Sequence, residues 1–233
     1  MMKTFVVVSA ALALSGCISL LPKPGAAPSV FTMEAPDAPF QNAQTADWSI
    51  AVSKPMMPRM IAGSDLVLRE GDNQIAFVGG AQWAEPAPSL LQRALATALN
   101  RSGKIVTATP ESGVRADCEL QWDVYAFDAR QGAGGFTARF EASARLVGRN
   151  RGIQQSTRIA TTGEAGGGTV RAAAAALTDA ALKGVDQAGL WALQQQCEKP
   201  LPPRARPMLE TPLAGGPITS AIPAPRRSQN GQR

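Results

Sequence analysis

Histidine is absent from the 233 residues of this chain. That removes the side chain most used for proton transfer near neutral pH and the commonest metal ligand, so Ser-His-Asp, Cys-His and His-metal sites are excluded. Cysteine occurs three times, too few for a four-ligand zinc finger. A surplus of positive charge is also missing from the folded part. Of the formal +5, Lys3 supplies one and residues 201–233 supply four through five arginines against one glutamate, which leaves residues 4–200 neutral. A basic-patch argument for a nucleic-acid partner has no footing there. The apolar run at residues 5–14 is no membrane span either, since as a helix it would rise about 15 Å, half of a ~30 Å hydrocarbon core.

That run has a different layout. A positive charge at Lys3 precedes it and the small residues Ser15 and Gly16 close it, as in a secretory signal peptide. Leu14, Ser15, Gly16 and Cys17 together resemble the lipobox of bacterial lipoproteins. The resemblance implies cleavage before Cys17, a diacylglycerol thioether on its sulfur and an acyl group on its new amine. The alternative is an ordinary secreted protein with a cysteine near its cleavage point. One acyl chain holds a protein only marginally, whereas two or more anchor it stably. Ile18 follows where inner-membrane-retained lipoproteins carry Asp, so the same resemblance implies the periplasmic face of the outer membrane.

Four segments are expected: a signal at 1–16, a lipidated N-terminus and Pro- and Gly-rich tether at 17–29, a folded domain at 30–199 and a disordered basic tail at 200–233. Within the domain, alternation predicts strands over 30–34 and 48–53, the latter with Trp48, Ile50 and Val52 on one face and Ala51 on the other. Residues 64–70 and 73–78 read as a hairpin about Gly71. Leu90, Leu91, Ala94, Leu95, Ala98 and Leu99 mark one face of a helix that stops at Gly103, with Gln92, Arg93, Thr97 and Asn100 on its polar side. Three alternating strands follow. Cys118, Leu120, Trp122 and Val124 share a face in the first, even-numbered residues 136–146 share one in the second, and the third centres on 153–160. An alanine-rich helix over 169–196 ends the domain, weakened by Gly184 and Gly189. This order suits an α/β sandwich, α+β in character, with a mixed and mainly antiparallel sheet under two principal helices.

Candidate chemistry is sparse. Residues 163–170, GEAGGGTV, sit where a phosphate loop would, yet lack its Lys and following hydroxyl, and read as a flexible connection. Asp117, Glu119 and Asp123 belong to a solvated strand face rather than an acid-base pair. Cys118 and Cys197 are either bridged, pinning the last helix to the sheet, or two separate buried thiols. Trp83 with Pro86 and Pro88 is either a packing staple or, with Arg93, a contact for a partner. No catalytic, metal or cofactor site is expected; the lipid on Cys17 is the only bound group.

Several of these pieces resemble the ABC-type transport auxiliary lipoproteins, the PqiC-like outer-membrane family. They are Phe31-Thr32-Met33 as a first strand of Y-x-L type with Phe in place of Tyr, the tryptophan-proline lead-in at 83–88 before the Leu-rich helix, the D-x-x-L strand from Asp117 to Phe127, and a long final helix ending near Trp191. The resemblance implies a non-enzymatic component of an MCE-type lipid transport system that docks the periplasm-spanning MCE protein at the outer membrane. A lipid-carrying lipoprotein and an envelope-assembly lipoprotein are the other two classes left open.

Overall fold

Even-numbered residues from Phe136 to Leu146 are buried, and the odd-numbered residues between them are not. This alternation sets the two faces of an eight-stranded sheet. The computed structural model describes residues 27–37 and 39–198, all within the unit Met1–Pro200. Leu14, Ser15, Gly16, Cys17 and the tail therefore lie outside the described residues.

In chain order the elements are β1 (Ser29–Phe31), β2 (Ser49–Val52), β3 (Asp65–Glu70), β4 (Gln74–Trp83), α1 (Ala87–Ser102), β5 (Val106–Ala108), a 3-10 turn (Pro110–Ser112), β6 (Cys118–Gly132), β7 (Gly135–Gly148), β8 (Ile153–Gly166) and α2 (Val170–Leu193). The long strand β6 organises the sheet. On one side it pairs antiparallel with β7, and β7 with β8. On its other side the first half pairs parallel with β2, which carries β5, and the second half meets β3, which carries β4 and β1. The long pairings are the antiparallel ones, and both helices contribute to the single core against the sheet. The fold is thus mixed α/β, as the sequence pattern implies.

Parity along β6 changes once. Val124 pairs with Ala142 and Ala126 with Glu141, so Tyr125 is an extra residue, a β-bulge. Before it the even residues Cys118 to Val124 face the helices; after it Phe127 and Ala129 do, opposite Phe140 and Ala138. Without the bulge, the second half of β6 would turn its apolar side to solvent.

The glycines of α2 have a packing reason. A Cβ on Gly184 would stand 2.4 Å from the Phe140 ring, and one on Gly189 2.2 Å from the Phe40 ring. The helix backbone itself presses on β8, where a Cβ on Gly163 would lie 2.2 Å from the Ala176 carbonyl oxygen. Thr161 Oγ1 donates to the Ala180 carbonyl at 2.7 Å across the same contact. The N-terminus of α2 is capped by Thr169, whose Oγ1 accepts from Ala172 N, and α1 ends at Gly103 with φ of 63°.

Some expectations need correction. The first strand is shorter, Ser29–Phe31, and Ala51 of β2 is buried. Strand β4 runs on through Trp83, and β8 continues to Gly166, so the first half of the glycine-rich stretch is strand rather than flexible connection. Gln92 leaves the polar side of α1: it is buried, with Nε2 donating to the Val52 carbonyl at 2.9 Å and to Glu111 at 3.0 Å. A buried amide that satisfies its donors is stable where an unpaired one is not.

Candidate interaction site

Cys118 opens β6 and Cys197 follows α2. The structure joins them in a disulfide with Cα atoms 6.1 Å apart, spanning 79 positions of sequence. Gln154 holds the same corner, its Oε1 accepting from Glu198 N at 3.1 Å. The end of α2 is thereby fixed to the sheet at the start of β6.

Trp83 is 2% exposed and stacks on Phe127 at 5.8 Å between centroids. Its ring therefore belongs to the core, and no face of it is open to a partner. Arg93 remains half-exposed on α1, ion-paired with Glu85 at 2.5 Å and donating to Thr32 Oγ1 at 3.3 Å. The two residues considered together as a contact thus separate into one core side chain and one surface tie.

The sheet face opposite the helices carries charge in matched pairs. Asp128, only 3% exposed, accepts from Arg69 of β3 at 3.0 Å and from Arg139 of β7 at 3.1 Å. Glu141 continues the ladder between Arg139 and Arg158 of β8. Burial pushes the Asp128 carboxyl up, and the hydrogen bonds and charges of the two arginines outweigh it, holding the group below the usual carboxylate range. Asp117 accepts from Ser49 N at 2.9 Å and pairs with Arg149, Glu119 accepts from Ser53, and Asp123 pairs with Arg145 at 2.5 Å. These three carboxylates are bound to partners on or just beyond the neighbouring strands β2 and β7, which suits structural charge rather than proton transfer. The described residues hold no group of His, Cys, Asp and Glu able to bind a metal.

Tyr125 stands 59% exposed at the bulge, its hydroxyl 2.7 Å from Ser143 Oγ, and Met56 is 71% exposed where it bridges to Asp123. Strand alternation places Tyr125 outward, whereas nothing in the sequence marks Met56, which reaches the sheet through a single bridge. At the disulfide end the same face opens into a groove of about 900 Å³, with Arg115, Arg145, Arg149 and Arg151 in its wall. No helix among the described residues is long and apolar enough to cross a membrane.

The order of elements, the lead-in at Trp83 and the long terminal helix now stand in three dimensions. A model of the family described as ABC-type transport auxiliary lipoprotein component matches residues 31–187, about two-thirds of the chain. The chain belongs to that family. Among solved structures, protein XCC0632 from Xanthomonas campestris, assigned to the family DUF330, is similar at 23% identity and a TM-score of 0.66, covering 71% of this chain and 94% of its own. A second, uncharacterized protein is similar at 14% identity and a TM-score of 0.56, covering 70% and 97%. At these identities the likeness is one of fold. A comparison with curated proteins finds no match. This auxiliary lipoprotein is accordingly a component of an ABC-type transport system, and a transport partner follows from its family.

Proposed function

We propose that the domain is a non-enzymatic adaptor, lipid-anchored through Cys17 at the periplasmic face of the outer membrane, where it docks the MCE-domain protein of an ABC lipid transporter. The observation that carries this reading is the family match over 31–187, which a short Pro- and Gly-rich stretch separates from the lipobox-like Leu14 to Cys17. Supporting it, the strand carboxylates Asp117, Glu119, Asp123 and Asp128 are engaged by arginine and hydroxyl partners, so the acid-base chemistry of a catalyst has no evident source among them. An anchor on one membrane raises the concentration of a tethered domain near a partner that reaches the same membrane.

The full chain, tagged and recovered from detergent-solubilised membranes of its own host, tests the reading. The MCE protein encoded in the same genome is expected to co-purify with it, with no turnover of lipid by the pair. Recovery of the chain without that protein but with stoichiometric lipid would overturn the docking role in favour of a carrier.

A further inference from the structure

Residues 4–200 are neutral in sum, yet one end of the domain is not. At the disulfide end of the sheet, the segment before β6 and the β7–β8 turn come together, tied by Arg149, which donates to the Ala116 carbonyl at 3.1 Å and to Asp117 at 3.2 Å. Arg145 is likewise spent on Asp123. Arg115 and Arg151 line the same groove, and their side chains have no ion-pair or hydrogen-bond partner among the described residues. Beside each of them stands an aliphatic side chain in solvent, Val114 at 61% and Ile153 at 65% exposure.

The backbone is also unusual here. Arg151 has φ of 63°, in the left-handed region that glycine and asparagine occupy at less cost, although Asn150 and Gly152 flank it. The fold thus keeps an arginine with no internal partner at a position that favours a smaller residue. Strain of this kind accumulates where a side chain is needed for contact.

We propose that this tip is a second contact with the membrane: Arg115 and Arg151 bind the phosphates of anionic lipid headgroups while Val114 and Ile153 enter the acyl boundary. The groove fits that occupant by charge complementarity, because its two spare guanidinium groups are hydrogen-bond forks suited to phosphate and the adjacent aliphatics have no use in a purely aqueous anion site. Such a contact orients the domain on the bilayer, independently of which protein it docks and of how its N-terminus is held.

The test uses the full chain with Ile153→Cys, the new thiol carrying a polarity-sensitive fluorophore, reconstituted into vesicles of phosphatidylcholine alone or mixed with phosphatidylglycerol. Emission is expected to shift to the blue only with phosphatidylglycerol, and to revert as salt is raised. Arg115→Ala with Arg151→Gly is expected to lower the ratio of buried to solvated label about thirtyfold, as two cations near an anionic surface imply. Arg151→Gly alone is expected to weaken the shift while leaving the unfolding midpoint no lower, because it relieves the backbone, which separates binding from folding. An equal shift on phosphatidylcholine, a shift indifferent to both arginines, or none on any vesicle overturns the proposal. So does reversal by inorganic phosphate at matched phosphate concentration, the mark of a free-anion site, and so does a label that answers poly-glutamate but not lipid, the mark of an acidic protein partner.

Discussion

At the scale of single residues, three side chains carry sharp expectations. Cys17 is proposed as the anchor, so Cys17→Ser is expected to abolish incorporation of labelled fatty acid and to leave the precursor uncut, seen as a band of higher mass; unchanged labelling would remove the anchor from the account. Asp128 is buried between Arg69 and Arg139, which stay 22% and 41% exposed. Asp128→Asn is expected to cost about 2 kcal/mol at neutral pH, since it loses charge-assisted hydrogen bonds while its partners can still reach water. The depressed folded pKa fixes the sign of the pH effect: the contribution is full above the ordinary carboxylate range and is lost as pH falls through the folded value. Denaturant titrations of both proteins should therefore converge on acidification below about pH 4. Gly184 opposes helix propensity with packing. Gly184→Ala gains about 1 kcal/mol of propensity, but its methyl would stand 2.4 Å from a fully buried phenyl ring, so a net loss of about 1–2 kcal/mol is expected in thermal unfolding.

Among the elements, the Cys118 to Cys197 bridge fixes the end of α2 to β6. Replacing both cysteines by serine is expected to destabilise the fold by ~2–4 kcal/mol, because the bridge restricts a long loop in the unfolded chain. Thiol counting on the unreduced, unfolded protein checks the bridge itself, and two reactive thiols would contradict it. The strands and helices with strict periodicity were legible in the sequence, as β7 and α1 show. The features that local periodicity does not reveal depend on distant partners. Gln92 looks polar along its own helix and is buried only because the Val52 carbonyl and Glu111 wait for it. Trp83 reads as either a packing staple or a partner contact ahead of its helix, and only Phe127, delivered inward by the bulge at Tyr125 and stacked on it, decides for the core. The extension of β8 through Gly163 likewise needs the α2 backbone, for which only glycine leaves room. The groove at Arg115 and Arg151 is not legible at all, since the two arginines, one before β6 and one in the β7–β8 turn, are 36 positions apart in sequence.

For the whole molecule, the family makes the chain an auxiliary component of an ABC-type transport system, and the neutral domain and lipobox-like leader accord with the adaptor role proposed for it. Its chemistry is that of fixed, mutually satisfied charges on one sheet face and an apolar core of aromatic, leucine and alanine side chains on the other. The central claim is that this chain docks an MCE-domain protein, and direct titration of the purified full chain, in detergent, against the purified periplasmic region of the MCE protein from the same genome tests it. The account predicts a saturable complex of fixed stoichiometry that forms without any lipid being consumed. Absence of binding with both proteins folded, together with stoichiometric lipid extracted from the lipoprotein itself, would contradict it.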